Sequence, residues 1–305
     1  MSLCLLCPGQ GSQTPGMMAR LASDPLLAPP LTRLAPLAGE GLLALAADER
    51  RCFLNRHAQP LVVLYGLVVA EGLSAAGVEA SLVAGYSVGE LTAHGVAGAL
   101  TGHDALRLAH CRAAAMDAAA PVDGGMLAVR GLALDRLADK AAEVGATIAI
   151  VNGEDHAVLA GATAGLTQLA QWLTAGFGAH VVPLRISVPA HSPVLAAGAQ
   201  LFAAELVANA WLPHRCPVLA GIDARPVHDP TNAIQTLSHQ LAEPILWSRV
   251  LDAAVEMGVR CFFEIGPGNG LARMVRERHP DLPARALDDF SSLTGAIAWL
   301  QRHQE

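Results

Sequence analysis

The sequence is poor in charge, in aromatic rings and in lysine. Only 15% of the 305 residues are charged and 4% are aromatic, and Lys140 is the only lysine. Hydrophobic residues make up 52%, so the chain can bury a sizeable core and is not a disordered protein. The formal net charge of −7 argues against nucleic acid as the main partner, because that partner requires clustered positive charge.

Clustered metal ligands are scarce as well. The six cysteines are scattered through apolar segments, and in the one C-x-x-C pair Cys4 lies inside a predicted strand. No second pair has the spacing of a zinc site, so we expect no metal, reduced thiols and a cytoplasmic location. Met1 to Cys7 lacks the basic start of a signal peptide, and glycines and polar residues interrupt the uncharged stretch from Ala157 to Leu184. We therefore expect no membrane association.

Predicted strands and helices alternate over most of the chain. This order indicates an α/β fold, in which helices cover both faces of a parallel sheet. The predicted strands of this sheet are Ser2 to Cys7, Ser81 to Ala84, Pro217 to Ile222 and Arg260 to Ile265. The predicted helices are Leu61 to Leu73, Glu90 to Ala99, Asp104 to Ala119, one after Ser192, and Arg249 to Met257.

Residues 124–188 follow a different order. Short strands and two helices with leucines at helical spacing give the pattern βαββαβ, which is typical of a ferredoxin-like unit. Gly176 is the predicted C-terminal cap of the second of these helices. We therefore predict an inserted subdomain at 124–188 between two parts of one larger domain, 1–123 and 189–305.

The segment from Gly85 to Gly89 carries the clearest chemical signal. It reads G-x-S-x-G between a predicted strand and a predicted helix, which is the context of a nucleophile elbow. Such a turn exposes the hydroxyl of Ser87 at a helix N-terminus, and the flanking glycines allow it without Cβ clashes. The pattern predicts acyl transfer or acyl hydrolysis through this serine. The simpler alternative is a Gly/Ser-rich turn without function.

A serine nucleophile needs a base, and His191 has the best local context among the twelve histidines. Ser192 can cap a helix there and Pro193 can occupy the first helical position. The positive end of that helix would keep the imidazole neutral and able to accept a proton. The alternative is a solvent-exposed histidine beside a helix start.

Arg112 and a glycine-rich loop are candidates for ligand binding. Arg112 lies on an otherwise apolar helix face, where a buried guanidinium needs an anion and can hold a carboxylate in two hydrogen bonds. The alternative is an arginine that extends to the solvent. The loop from Pro8 to Gln13 can bring backbone N–H groups to a ligand, although it fits neither a P-loop nor a G-x-G-x-x-G fingerprint.

Seven segments in this order resemble the malonyl-CoA:acyl carrier protein transacylase family, nearly from end to end. They are Gly9-Gln10-Gly11-Ser12-Gln13, Gln59-Pro60, Gly85-Tyr86-Ser87-Val88-Gly89-Glu90, Arg112, Ser187-Val188-Pro189-Ala190-His191, the segment from Gln240 to Trp247, and Glu264-Ile265-Gly266-Pro267-Gly268. The resemblance implies an α/β-hydrolase-like larger domain with the ferredoxin-like insert.

For catalysis, the resemblance implies a dyad without an acidic residue. Ser87 would be the nucleophile and His191 its base, with the backbone carbonyl of Gln240 orienting the imidazole. The backbone N–H groups of Gln10 and Val88 would form the oxyanion hole. A malonyl-serine ester would form first and then pass to a carrier thiol in a ping-pong cycle.

For substrates, the resemblance implies malonyl-CoA as donor, an acyl carrier protein as acceptor and no tightly bound cofactor. Arg112 would pair with the free carboxylate of the malonyl group. Gln59, Asn152 and Gly11 would lie near the acyl group.

Two departures from the family pattern affect the choice of carrier. Tyr86 and Val88 replace the usual histidine and leucine around the serine, and the segment from Asn152 to His156 replaces N-x-P-x-Q. The form G-Y-S-V-G-E resembles the transacylase subunit of malonate decarboxylase, which implies a carrier with a phosphoribosyl-dephospho-CoA arm. We adopt this as the main interpretation, with a transacylase of fatty-acid or polyketide synthesis as the alternative.

Two other classes of function compete with a transacylase. A serine esterase would use a late histidine, His279 or His303, as its base. A carrier-docking subunit without enzymatic activity would need a local basic patch, for which Arg273, Arg276 and Arg278 are the candidates; a solvated helix face is the alternative.

Overall fold

The computed structural model describes residues 2–39 and 41–303, so the outermost positions 1 and 305 of the predicted larger domain lie outside the described residues. The strands are β1 (Leu3–Cys7), β2 (Leu82–Gly85), β3 (Gly124–Arg130), β4 (Thr147–Val151), β5 (His156–Ala162), β6 (His180–Pro183), β7 (Val218–Leu219), β8 (Pro226–Val227), β9 (Cys261–Glu264) and β10 (Ala284–Ala286). The α-helices are α1 (Met17–Ser23), α2 (Ala28–Leu34), α3 (Leu42–Ala46), α4 (Asn55–Ala75), α5 (Gly89–Val96), α6 (Gly102–Ala119), α7 (Leu134–Glu143), α8 (Thr163–Phe177), α9 (Ala196–Val207), α10 (Pro230–His239), α11 (Trp247–Glu256), α12 (Gly270–Arg278) and α13 (Leu293–Arg302). Short 3-10 turns are Ala35–Ala38, Arg51–Phe53, Pro193–Leu195 and Leu287–Asp289.

A six-stranded sheet in the order β10-β9-β1-β2-β7-β8 forms the centre of the larger part of the molecule. Its strands pair in parallel from β10 to β7, and β8 pairs antiparallel with β7. Strand β1 is buried along its whole length, as expected for a parallel strand covered on both faces. This arrangement confirms the predicted α/β class.

The longest helix, α4, belongs to the core of this part. By length and composition it could cross a membrane, but 83% of its most apolar window is buried inside the fold. It packs against α5, which begins just after Ser87, and against α6, which contains Arg112. An apolar helix is expected here because neighbouring elements cover it on several sides.

A separate four-stranded antiparallel sheet has the order β4-β5-β3-β6. With α7 and α8 it gives the chain order βαββαβ, so the predicted ferredoxin-like unit is present. It has its own hydrophobic cluster, which includes Leu127, Leu137, Leu159 and Leu169. We propose 124–188 as the limits of this unit, inserted into the larger domain.

Several predicted element bounds were wrong. Helix α4 begins six residues before Leu61 and contains Pro60. The predicted strand from Pro217 to Ile222 is only two residues long. Gly176 lies inside α8, and Gly178, in the left-handed conformation, is the actual cap. Sequence periodicity also missed α1, α2, α3, α10, α12 and α13, which are five to ten residues long.

Candidate active site

The site lies at the carboxyl ends of β1 and β2, where loops of neighbouring parallel strands meet. Ser87 follows β2, precedes α5, and has a φ of 56°, a left-handed conformation that is unusual outside glycine. A Cβ on Gly85 would lie 2.2 Å from the Glu90 nitrogen, and one on Gly89 would lie 2.0 Å from the Cys7 carbonyl oxygen. Both glycines are therefore required, and the segment forms the predicted nucleophile elbow.

His191 lies directly beside the serine. Its Nε2 is 2.8 Å from the Ser87 Oγ, and its Nδ1 is 2.6 Å from the backbone oxygen of Gln240. A carbonyl only accepts hydrogen bonds, so Nδ1 carries the proton and Nε2 is free to accept one from the serine. The ring is 1% exposed, which rules out the solvent-exposed alternative.

The imidazole is neutral, but the cause predicted from the sequence was wrong. Burial lowers the pKa of His191 to about 3, and the positive charge of Arg112 contributes to the shift. Ser192 does not cap a helix with its side chain, because its hydroxyl donates to the Pro189 carbonyl. A 3-10 turn, Pro193–Leu195, comes first and α9 begins only after it.

Arg112 is buried in the same site. It is 1% exposed, so the surface alternative is wrong, and burial lowers its pKa to about 10. Its Nη1 donates to Gln59 Oε1 at 2.9 Å, and its Nη2 donates to Gln240 Oε1 at 3.0 Å. The same Nη2 lies 3.4 Å from the Ser87 Oγ. A delocalised positive charge is thus held beside the nucleophile by two neutral amide oxygens.

Gln59 and Gln240 connect this guanidinium to the surrounding helices. Gln59 Nε2 donates to Asn55 Oδ1 at 2.7 Å, and Asn55 Nδ2 in turn donates to Asp117 Oδ1 at 2.8 Å. Gln240 Nε2 donates to the buried carboxyl of Glu90 at 2.6 Å. Both amides are 0% exposed, so their orientation is set by protein groups.

The predicted oxyanion-hole residues lie on two adjacent loops. A Cβ on Gly9 would be 2.8 Å from the Tyr86 carbonyl oxygen, so only glycine lets the loop after β1 approach the elbow this closely. The backbone N–H groups of Gln10 and Val88 have no acceptor within the described part of the chain. The N–H of Gly11 already donates to Gln13 Oε1 at 2.5 Å, which leaves its predicted substrate contact a prediction.

Asn152 reaches the site from the ferredoxin-like unit. Its Oδ1 accepts a hydrogen bond from the Tyr86 hydroxyl at 3.2 Å, and its side-chain nitrogen is 3.5 Å from His156 Nε2. Tyr86 also packs edge-on against Trp247, with 5.2 Å between the ring centres. Tyr86, the departure on the elbow, therefore contacts the asparagine that begins the segment from Asn152 to His156.

The residues of the two competing functions lie elsewhere. His303 bonds to the Trp299 carbonyl, and His279 lies 3.1 Å from the Asp252 carboxylate, so neither serves Ser87 as a base. Arg278 forms an ion pair with the same Asp252, and Arg276 donates to the Ala284 carbonyl at 2.8 Å. Internal partners therefore occupy two of the three arginines of the proposed basic patch.

Glu90 belongs to the elbow motif, but the sequence predicts no role for it. Its carboxyl is 0% exposed, and burial raises its pKa to about 7. The signal that could have identified it is an acidic residue in the first turn of α5, just before the apolar Leu91 and Ala93. Its contacts with Gly221 and Gln240 join segments distant in sequence, so no local pattern predicts them.

A half-buried serine on a strained elbow, a neutral histidine held by a backbone carbonyl, and two free N–H groups define a serine-dependent acyl-transfer site. The buried arginine beside the serine adds a position for an anionic acyl group. The chain belongs to the acyl transferase domain family, whose sequence model matches residues 4–281.

Relatives and solved structures agree with this membership. The chain is 29% identical over 316 residues to a malonyl CoA-acyl carrier protein transacylase from Bacillus subtilis, which covers 99% of this chain and 98% of the relative. It is 30% identical to the crystal structure of an acyl-carrier-protein S-malonyltransferase from Burkholderia pseudomallei, with a TM-score of 0.89 and coverage of 98% and 100%. A malonyl-transacylase in complex with a type II PKS acyl-carrier protein matches with a TM-score of 0.90 at 27% identity, covering 98% and 99%.

Proposed function

We propose that this acyltransferase moves a malonyl group from malonyl-CoA to the thiol of an acyl carrier protein, in fatty-acid or polyketide synthesis. The observation that carries the proposal is the buried guanidinium of Arg112, 3.4 Å from the Ser87 hydroxyl. A malonyl ester on that hydroxyl has a free carboxylate within reach of this charge, whereas an acetyl ester has nothing to pair with it. The names of the relatives described above support the same substrates.

Acylation follows from the geometry of the dyad. Ser87 Oγ attacks the thioester carbonyl carbon while its proton passes to His191 Nε2. The N–H groups of Gln10 and Val88 donate to the oxyanion of the tetrahedral intermediate, and losing one such donor typically costs about 3–4 kcal/mol of barrier. The carbon–sulfur bond then breaks, and His191 returns its proton to the departing CoA thiolate.

Transfer to the carrier repeats these steps in reverse. The thiol of the carrier arm gives its proton to His191 and attacks the malonyl-serine carbonyl. The carbon–oxygen bond breaks, and Ser87 recovers its proton from the imidazole. Burial keeps His191 neutral at the start of each half-reaction, so it is ready to accept a proton at pH 7.

The transacylase subunit of malonate decarboxylase is the second candidate. The hydrogen bond from Tyr86 to Asn152 favours it, because Tyr86 belongs to the elbow form that resembles this subunit, and the bond engages its hydroxyl inside the site. On this proposal the acceptor thiol belongs to a phosphoribosyl-dephospho-CoA arm. The two candidates share the chemistry at Ser87 and differ in the carrier.

The first experiment is the intact mass of the protein after mixing with malonyl-CoA, with Ser87→Ala as its control. A malonyl adduct on the wild type alone supports the proposed acyl-serine. Release of CoA without an adduct would indicate hydrolysis instead. If no adduct forms and no CoA is released, the result contradicts malonyl-CoA as the donor.

The carrier is then tested on the isolated malonyl-enzyme. Carrier proteins bearing a phosphopantetheine arm and carrier proteins bearing a phosphoribosyl-dephospho-CoA arm are offered separately. Discharge to the first alone supports fatty-acid or polyketide synthesis, and discharge to the second alone supports malonate decarboxylase. The wild type without carrier measures the rate of hydrolysis.

A further inference from the structure

Gln240 contacts both halves of the site through different atoms. Its backbone oxygen accepts from His191 Nδ1, and its side-chain oxygen accepts from Arg112 Nη2. Its side-chain nitrogen donates to Glu90 Oε2 at 2.6 Å. One residue therefore fixes the base through its main chain and the guanidinium through its side chain.

The direction of the Gln240 amide depends on what lies on each side of it. A guanidinium only donates hydrogen bonds, so Arg112 needs the oxygen of the amide. The opposite side must then accept from the amide nitrogen, and the Glu90 carboxyl is the group that does so. The backbone N–H of Gly221 donates to the same Glu90 oxygen at 2.9 Å and holds the carboxyl in place.

Without an acceptor at position 90, nothing would hold the amide nitrogen on that side. The amide could rotate and present its N–H₂ group to the guanidinium, where two donors would oppose each other. Arg112 has little else to hold it, because its Nε has no hydrogen-bond partner in the described structure. Its remaining contacts are with Gln59, with the weak acceptor Met116 Sδ, and with the Ser87 Oγ at 3.4 Å.

We propose that Glu90 is a positioning residue for acyl-group selectivity. Its carboxyl orients the Gln240 amide with the oxygen toward Arg112, and so sets the guanidinium for the free carboxylate of the acyl group. This inference rests on the proposed malonyl transfer. The Glu90 carboxyl bonds to neither Ser87 nor His191; only the Glu90 backbone N–H contacts the elbow, at the Ser87 carbonyl oxygen.

The test compares malonyl-CoA with acetyl-CoA in Ser87 acylation, measured as kcat/KM for each thioester. Glu90→Met removes the acceptor at similar length, and we expect the malonyl-to-acetyl ratio to fall about tenfold or more. Acetyl transfer should change by less than about threefold, because the Gln240 backbone still holds His191. Glu264→Met is the matched control, since Glu264 is equally buried, accepts from the Ala272 N–H, and should leave the ratio unchanged.

Two further variants separate orientation from a merely structural role. In Glu90→Gln the amide oxygen still accepts from Gly221 and Gln240, so the ratio should stay within about threefold of the wild type. Gln240→Met keeps the backbone carbonyl and removes the oriented amide, so it should reproduce the loss even if Glu90→Met does not fold. The double variant of Glu90→Met and Gln240→Met should lose no more than either single variant.

An unchanged ratio in Gln240→Met, equal losses in Glu90→Gln and Glu90→Met, or additive losses in the double variant would overturn the positioning role. Failure of the proposed function has a different signature. In that case the wild type would not favour malonyl-CoA, and Arg112→Ala would leave the ratio as it was.

Discussion

At the scale of single residues, the most informative group is the buried cation beside the nucleophile. Arg112 contacts two amide oxygens and a thioether, and none of these neutral acceptors cancels its charge. The Glu90 carboxyl lies beyond the Gln240 amide and offsets the charge only in part, so burying this guanidinium is costly, and proteins retain such a charge where it serves binding. In this site the charge is available to a substrate carboxylate.

We expect Arg112→Ala to reduce kcat/KM for malonyl-CoA by about 100-fold and to leave acetyl-CoA far less affected. Arg112→Lys should also lose most of the preference, because an ammonium cannot bridge both amide oxygens and still hold a carboxylate in two parallel bonds. The measurement is the acylation rate with each thioester.

Arg107→Ala is the control for this prediction, because Arg107 lies on the same helix and pairs with Glu205 away from the site. If Arg112→Ala kept the malonyl preference of the wild type, the carboxylate would have to be held by another residue.

Ser87, His191 and the residues that the family resemblance adds could be predicted from sequence, whereas the role of Glu90 behind them could not. Ser87 and His191 stand in short local patterns whose geometry follows from the turn and from the family resemblance. The contact of Glu90 with Gln240 joins positions 150 apart and depends on how three elements pack. Even the neutral state of His191 was predicted for the wrong reason, because burial depends on tertiary structure.

At the scale of elements, α8 illustrates what periodicity can and cannot place. The leucine spacing correctly predicts a helix, but two glycines, Gly176 and Gly178, both suit its end. The structure places the left-handed residue at Gly178, with a φ of 61°, and keeps Gly176 in the helix. Helix ends are decided by one or two weak hydrogen bonds, so sequence alone fixes them poorly.

Alanine substitutions at these two glycines test the assignment. Gly176→Ala should stabilise the protein by about 0.5–1 kcal/mol, because alanine favours the helix and a Cβ there would meet no atom within 4 Å. Gly178→Ala should destabilise it by about 1–2 kcal/mol, because a side chain disfavours the left-handed conformation. Chemical denaturation of both variants gives the two free energies, and the opposite signs would make Gly176 the cap.

At the scale of the whole molecule, buried titratable groups link stability to pH. Burial lowers the pKa of His94 and of His191 to about 3, so between pH 3 and 6.5 the unfolded chain binds more protons at these positions. Their contribution to stability is complete above pH 6.5 and is lost as the pH falls. Burial raises the pKa of Glu90 and of Glu264 to about 7, so between pH 4.5 and 7 the folded protein binds more protons at these two positions than the unfolded chain. Their effect on the unfolding free energy therefore has the opposite sign: it lowers stability as the pH rises through this range. The two effects oppose each other down to about pH 4.5, and below it the histidines dominate.

His94 allows this linkage to be measured without touching the active site. Its ring is 0% exposed and its Nδ1 lies 2.9 Å from His214 Nε2. The pKa difference implies that His94 lowers the unfolding free energy by roughly 3 kcal/mol as the pH falls from 6.5 to 4. In His94→Gln the drop in unfolding free energy over this range should therefore be smaller by about that amount, whatever the variant's stability at neutral pH.

Urea denaturation at both pH values measures the drop, and His103→Gln, at a side chain that is 61% exposed, should leave it unchanged. An equal drop in the wild type and in His94→Gln would mean that the buried imidazole takes up its proton in the folded protein as readily as in the unfolded chain.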